Sequence, residues 1–447
     1  MHPNRSLKPL LPAVIFIALA IALSMTACQQ PGGDGAHLSS ANKTGKPNAP
    51  SPQTPQNPSN PQERTATPPA SLNIEKLVPS GNEKLISTPK DLHQPIISAI
   101  QQAQKSLDIV NFHLSDPDVV TALKEAAGRG VTVRLLLDQS ILSKSTTGTA
   151  IFDELKKSGV LAKKSTSQFS ITHQKSLVID RELEEKRTAF ITTMNLITVP
   201  GITRDYGLIT QDKEIINEMT IVFEVDWTNA DKNTKETPIL AEERLLWSPV
   251  NSKPKILGLI NLAQKNIDIE VENFGDDEVI AALGARISQV PGLKIRTITP
   301  GCSAGGDPLY SRPFLERLKK LGVENRVMAA EPDENHPFMH AKMMVVDNQI
   351  FYLGSENLSF NSLTKARELG ILTNNAELAQ QLESNFSLDW TSAFAPESVT
   401  KAMCAAATGP YSGKPQKPIS PAPKTPTAGA NTPAADNSAA AAEISEL

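Results

Sequence analysis

His173-Gln174-Lys175-Ser176-Leu177-Val178-Ile179-Asp180 and His340-Ala341-Lys342-Met343-Met344-Val345-Val346-Asp347 are two copies of one pattern, HxKxxxxD. Each copy runs from a polar, basic opening into an aliphatic stretch that reads as a buried strand. Side chains alternate between the faces of a strand, so each histidine shares a face with the lysine two places on. Downstream, Thr192-Thr193-Met194-Asn195 matches Gly354-Ser355-Glu356-Asn357, each with a hydroxyl residue two places before an asparagine. Arg204-Asp205-Tyr206-Gly207 then matches Arg367-Glu368-Leu369-Gly370. One such motif is a weak signal, because a lone histidine at a strand end more often serves packing. Two in register, each followed by the asparagine and the acid, form a strong one.

Working outward, the whole middle of the chain is an internal repeat. Ser106-Leu107-Asp108-Ile109 stands beside Asn266-Ile267-Asp268-Ile269, and Val119 to Leu123 beside Val279 to Leu283. Val131 to Leu137 and Leu293 to Thr299 are matching β-branched runs. Phe152 to Val160 and Leu315 to Val323 are matching amphipathic stretches. Both halves close on Phe-x-x-Asp-Trp-Thr, at Phe223 to Thr228 and Phe386 to Thr391. Strands alternating with helical patterns predict an α/β fold of two pseudo-twofold-related halves, over 73–235 and 236–408. Each half is expected to be a mixed, mostly parallel sheet flanked by helices. The symmetry would bring equivalent residues to a shared edge, giving one site in a monomer with an internal pseudo-dimer.

On these motifs the chain resembles the phospholipase D superfamily, and the likeness covers nearly the whole folded part. The resemblance implies a two-step phosphodiester reaction that uses no metal and no cofactor. His173 becomes the nucleophile and His340 the general acid and base, although the symmetry of the site leaves that order open. Lys175, Lys342, Asn195 and Asn357 surround the phosphoryl oxygens where charge builds up. Thr193 and Ser355 are expected to add hydroxyl donors to the substrate. Asp205 and Glu368 stand where the family places the acid that holds the outer imidazole nitrogen. Asp180 and Asp347 read as structural, ending a strand and tying down backbone. The first half departs from the family with Thr192-Thr193 in place of Gly-Ser, and with an insertion, Glu182 to Lys186, that reads as a lengthened turn.

The ends of the chain differ from its middle. A basic start (His2, Arg5, Lys8) precedes an apolar run, Leu10 to Leu23, too short for a spanning helix. Met25-Thr26-Ala27-Cys28 resembles a bacterial lipoprotein signal, so residues 1–28 are expected to be a signal peptide and Cys28 the lipidated first residue. Stable anchoring then follows from several acyl chains. Residues 29–72 and 409–447 hold much of the chain's proline and too few aliphatic residues to offset ordering entropy. They are expected to be a disordered linker and tail. Cys302 and Cys404 can pair in an oxidising compartment, but sequence does not show whether they meet. No CxxC pair suggests zinc.

A net charge of −4 provides no global basic field for nucleic acid, and aromatic residues at 4% are a poor stock for base stacking. A phospholipid substrate, hydrolysed or transferred at the cell envelope, therefore stands first. The alternatives are an envelope endonuclease of the same superfamily, a cardiolipin synthase-like transferase, and a non-catalytic envelope lipid-binding module. His113 and Asn273 align after equivalent strands and are candidates for lining the pocket. The stretches 138–150 and 300–312 follow equivalent strands and are candidates for shaping substrate entry.

Overall fold

The structure, a computed structural model, describes residues 66–91, 93–197, 203–232, 234–303, 309–333 and 335–407. The expected signal peptide and Cys28, most of the linker, and the tail from 409 lie outside these residues. Two seven-stranded sheets carry the fold. The first runs, edge to edge, Glu83–Ser87, Tyr206–Thr210, Thr188–Thr192, Ser176–Ile179, Ser106–Asn111, Thr132–Leu137 and Leu161–Lys164. The second repeats that order with Leu245–Ser248, Glu368–Asn374, Ile350–Gly354, Lys342–Val346, Asn266–Val271, Lys294–Thr299 and Glu324–Val327.

The sheets are mixed, but they are not mostly parallel as expected. In each, only the last three strands of that order pair in parallel, and the other pairings are antiparallel. Connection length is the reason. Parallel neighbours need a crossover, which the helices Pro117–Gly128 and Asp277–Gln289 supply. The strands that follow the two HxK motifs are instead joined to their neighbours by tight turns, at 180–187 and 347–349. The inserted Glu182 to Lys186 forms part of the first of these turns.

Alternation along the strands divides the core into layers. Leu177 and Ile179 face one way, under the helices Gln94–Gln102, Pro117–Gly128 and Thr146–Lys157. Val178, between them, faces the second sheet. The same holds for Met344 and Val346 against Met343 and Val345. The two sheets therefore meet across a shared core of Val178, Ile191, Leu208, Val345, Phe351 and Ile371. The helices Lys213–Lys232 and Ala376–Ser392 also pack into that core.

Two assignments along the chain are revised. Residues 66–72, assigned to the linker, and Ile74–Leu77, assigned to the first half, belong with the second. Ala70 N donates to Pro254 O, while Leu72 and Leu77 pack into the outer core of that half. A few leucines are enough to dock a proline-rich strand of chain. The stretch 138–150 is largely helical, because Asp138 and Ser145 cap the starts of Gln139–Lys144 and Thr146–Lys157. In the stretch 300–312, residues 304–308 lie outside the described residues. Cys302 and Cys404 form a disulfide.

Candidate active site

Both motifs open in irregular backbone just before a strand, and each is pinned by the other half. His173 N and Gln174 N donate to Arg367 O at 2.9 and 3.0 Å, and His340 N donates to Arg204 O at 3.1 Å. The guanidiniums of those arginines reach across as well. Arg367 forms a fork on Asp226 at 2.8 and 3.2 Å, and Arg204 forms one on Asp389. Asp226 and Asp389 are the aspartates of the two closing Phe-x-x-Asp-Trp motifs. Each half thus supplies the clamp that seats the other's histidine.

The residue after each arginine is the acid, and it too serves the opposite histidine. His173 Nδ1 lies 2.8 Å from Glu368 Oε2, and His340 Nδ1 lies 2.7 Å from Asp205 Oδ1. With Nδ1–H donated to the carboxylate, Nε2 of His173 keeps its lone pair for the site. Burial pulls the His173 imidazole below its usual pKa, against the opposing pull of Glu368, and favours the neutral ring. Burial alone would raise Glu368, but the charges of His173 and Lys175 hold its carboxyl below the ordinary value. Asp205 is lowered in the same way, with His340 and Lys342 outweighing burial.

The two lysines are almost wholly buried. Each folds back so that Nζ donates to the carbonyl of its own histidine, Lys175 to His173 and Lys342 to His340. Burial pushes the Lys175 ammonium down to about 7, against the pull of Glu368 and with help from the like charge of Lys342. Asn357 Nδ2 points into the site, with its Oδ1 held by Asn273 N at 3.1 Å. The Asn195 side-chain oxygen is buried without a partner. Each lysine thus stays beside its own histidine, as its place in the motif requires.

The hydroxyls of Thr193 and Ser355 make hydrogen bonds within the fold. The Thr193 hydroxyl donates to Asp205 and accepts from Tyr206 N at 2.9 Å. Ser355 Oγ accepts from Leu369 N at 3.1 Å. Both sit at the neck where the strand before the asparagine meets the strand of the acid, so they hold the acid's strand. Thr192 faces Gly207 across that ladder, whereas Gly354 faces Gly370. A Cβ on Gly354 would lie 2.4 Å from Gly370 Cα, so the second half needs the glycine. In the first half the threonine lies over a bare glycine instead.

Asp180 and Asp347 are the strand-ending ties expected of them. Asp180, at φ 51°, accepts from Gln104 N, Lys105 N and Ser106 N, and Asp347, at φ 54°, accepts from Gln264 N, Lys265 N and Asn266 N. His113 is set by its backbone, with N on Asn111 Oδ1 and O receiving Leu196 N.

Two residues were missed in the sequence. His93, to which no role was assigned, bridges Asp116 Oδ2 at 2.8 Å and Asn195 O at 3.0 Å, fixing the asparagine loop. Its repeat counterpart Lys253 pairs with Asp276, the counterpart of Asp116, at 2.8 Å. Glu272 is the other. Its Oε2 lies 3.1 Å from Lys342 Nζ, 3.3 Å from Asn357 Nδ2 and 3.6 Å from His340 Nε2. Burial would raise this carboxyl, but Lys342, His340 and His173 together hold it far below the usual range. Glu272 thus stands against the motif histidine and lysine of its own half. Its position in the repeat was legible, but its surroundings were not.

A family model described as "Cardiolipin synthase, PLD-like domain" matches residues 96–227 and again 256–390. The probable cardiolipin synthase YwiE of Bacillus subtilis is 23% identical over 346 residues, covering 69% of this chain and 66% of that protein. The chain thus spans just under two thirds of that relative's length. The virion nicking-joining enzyme of vaccinia virus (strain Western Reserve) is 39% identical over 140 residues, 30% of this chain and 31% of that protein. Among solved structures, phosphatidylserine synthase from Haemophilus influenzae superposes with a TM-score of 0.56 at 13% identity. It covers 74% of this chain and 90% of that one, a likeness of fold. With the two matched segments falling on the two halves that bring His173 and His340 together, the chain belongs to the PLD-like domain family of cardiolipin synthases, within the phospholipase D superfamily.

Proposed function

We propose that this chain is a phosphodiesterase that transfers or hydrolyses phospholipid headgroups through a phosphohistidine. The observation that carries the reading is the crossed pair of histidine–acid contacts, His173–Glu368 and His340–Asp205, around two buried lysines. In the first step Nε2 of His173 attacks phosphorus, and the P–O bond to the leaving alcohol breaks. His340 gives that oxygen its proton. In the second step His340 takes the proton of an acceptor hydroxyl, whose oxygen attacks phosphorus and expels His173. Lys175, Lys342 and the asparagines stabilise the charge on the phosphoryl oxygens in both steps. The long match to cardiolipin synthases supports a lipid substrate and transfer to an alcohol. The higher local identity to the viral nicking-joining enzyme supports a second reading, a DNA phosphodiester substrate.

The deciding experiment incubates the full chain in detergent with phosphatidylcholine, phosphatidylglycerol or nicked plasmid DNA, with and without chelator. Release of headgroup, or formation of a new diester lipid, is expected. DNA cleavage or joining without lipid turnover would replace the lipid reading with the nuclease. The short apolar run before Cys28 supports a lipid anchor in the bacterial envelope. Recovery of the expressed chain wholly in the aqueous phase of a detergent extraction would refute that placement.

The pH profile follows from Lys175 and His173. The lysine must be charged to hold a phosphoryl oxygen, and in the free enzyme it loses its proton near pH 7. The histidine must be neutral to attack, and its pKa lies below the ordinary 6.5. A plot of kcat/KM against pH is therefore expected to be bell-shaped, falling on the alkaline side from about pH 7. Bound phosphate stabilises the ammonium, so the alkaline limb of kcat should lie higher. A kcat/KM still rising at pH 9 would contradict the assignment.

A further inference from the structure

One difference between the two halves falls beside the motif histidines and exchanges an aromatic ring for a carboxylate. Counting from the matched Asp108 and Asp268, Phe112 and Glu272 occupy the same position after equivalent strands. In the first half the Phe112 ring stands edge-on to the His173 ring, with centroids 4.9 Å apart, and Lys175 Nζ lies 5.3 Å from its centre. The first half thus presents an apolar wall to its histidine. In the second half a carboxylate stands there, and the environment of His340 is polar and anionic.

Glu272 is held in place. Its backbone N donates to Ala341 O at 3.1 Å, its side chain is 11% exposed, and its Oε2 meets Lys342, Asn357 and His340. All of these side-chain contacts fall on Oε2. His340 Nε2 is the atom that protonates the leaving oxygen and deprotonates the acceptor. An alcohol oxygen within hydrogen-bond reach of that nitrogen, about 3 Å, lies beside Glu272. By microscopic reversibility the leaving alcohol and the acceptor alcohol occupy this same place.

A carboxylate only accepts hydrogen bonds. The single hydroxyl of a plain alkanol is engaged by His340 and offers nothing further to Glu272, whose lone pairs lose water as the alcohol enters. An alcohol with a second donor near the reacting oxygen, a neighbouring hydroxyl or an ammonium, satisfies both groups. Resting on the proposed phosphodiesterase reading, we infer that Glu272 selects the alcohol partner: leaving group and acceptor are polyols or amino alcohols of the glycerol or ethanolamine kind, in preference to plain alkanols. Glu272 acts on the alcohol's orientation and affinity. The chemistry at phosphorus stays with the histidines.

The test uses the full chain with bis(4-nitrophenyl) phosphate as donor and equal concentrations of glycerol, ethanolamine and 1-propanol as competing acceptors. Nitrophenol release reports formation of the intermediate, and the mix of product esters, read by mass spectrometry, reports its partition. The partition ratio does not depend on how fast the intermediate forms, so a slowed variant remains readable. The wild-type chain is expected to favour the glycerol and ethanolamine esters over the propyl ester by about tenfold or more, the scale of one charge-assisted hydrogen bond. Glu272→Gln, and Glu272→Phe, which copies the first half, are expected to bring that ratio to near one. In the wild type the acceptor KM should be lower for glycerol than for propanol, and that gap should close in both variants. Equal esters from the wild type, or an unchanged ratio in Glu272→Gln, would overturn the inference and leave the phosphodiesterase reading standing. Absence of nitrophenol release from the wild type would overturn both.

Discussion

His173→Asn is expected to lower turnover by a factor on the order of 10^4 or more, and His340→Asn to stop the reaction halfway. The two effects differ because the two imidazoles do different work on a diester with a good leaving group. Nitrophenolate departs without a proton, so His340→Asn still allows His173 to attack bis(4-nitrophenyl) phosphate. With no base left to take the acceptor's proton, the intermediate accumulates. A burst of about one nitrophenol per chain, with a nitrophenyl phosphoryl group found on His173 by mass spectrometry, is the expected result. His173→Asn should give no burst. The reverse pattern would exchange the roles of the two histidines, which their near-symmetric geometry allows. The differences that favour His173 as nucleophile are local. Its outer face is the Phe112 ring and burial favours its neutral form, whereas His340 has a carboxylate facing each ring nitrogen, at 2.7 and 3.6 Å.

Arg367→Ala is expected to cost about 3–5 kcal/mol of stability, read as a lowered midpoint in denaturant, because it leaves the Asp226 carboxyl buried without its partner. Arg367 is 1% exposed, forks onto Asp226, and holds its guanidinium 5.2 and 5.0 Å from the centres of the Phe169 and Trp247 rings. Activity should fall as well, since the Arg367 carbonyl seats His173 N and the next residue is the acid on its ring. Asp226→Leu combined with Arg367→Leu should cost clearly less than the sum of the two single changes, because the pair is then removed without leaving a bare charge. Additive losses would mean that the pair contributes no coupling. The equivalent exchange at Arg204 and Asp389 is expected to act on His340 in the same way.

Much of this molecule is readable along the chain because the repeat states it twice. Periodicity within His173 to Asp180 and His340 to Asp347 is a local property, and so are the strand-ending aspartates, whose carboxylates tie adjacent backbone. The side chains proposed to act on the substrate can therefore be named from the motifs before any geometry. The expected mostly parallel sheet was not found, because strand direction depends on whether a connection is long enough to cross over. The turns at 180–187 and 347–349 are too short to cross over, so the strands they join pair antiparallel.

Sequence alone determined which residue types the site contains and that two equivalent sets exist, since both follow from spacing within each half. Only the docking of the halves decided who partners whom. His173 meets Glu368 and His340 meets Asp205, each pair made of one residue from either half. Nothing in a half's own pattern distinguishes that exchange from pairing within the half. The choice lies in how two twisted sheets bury their inner faces against each other.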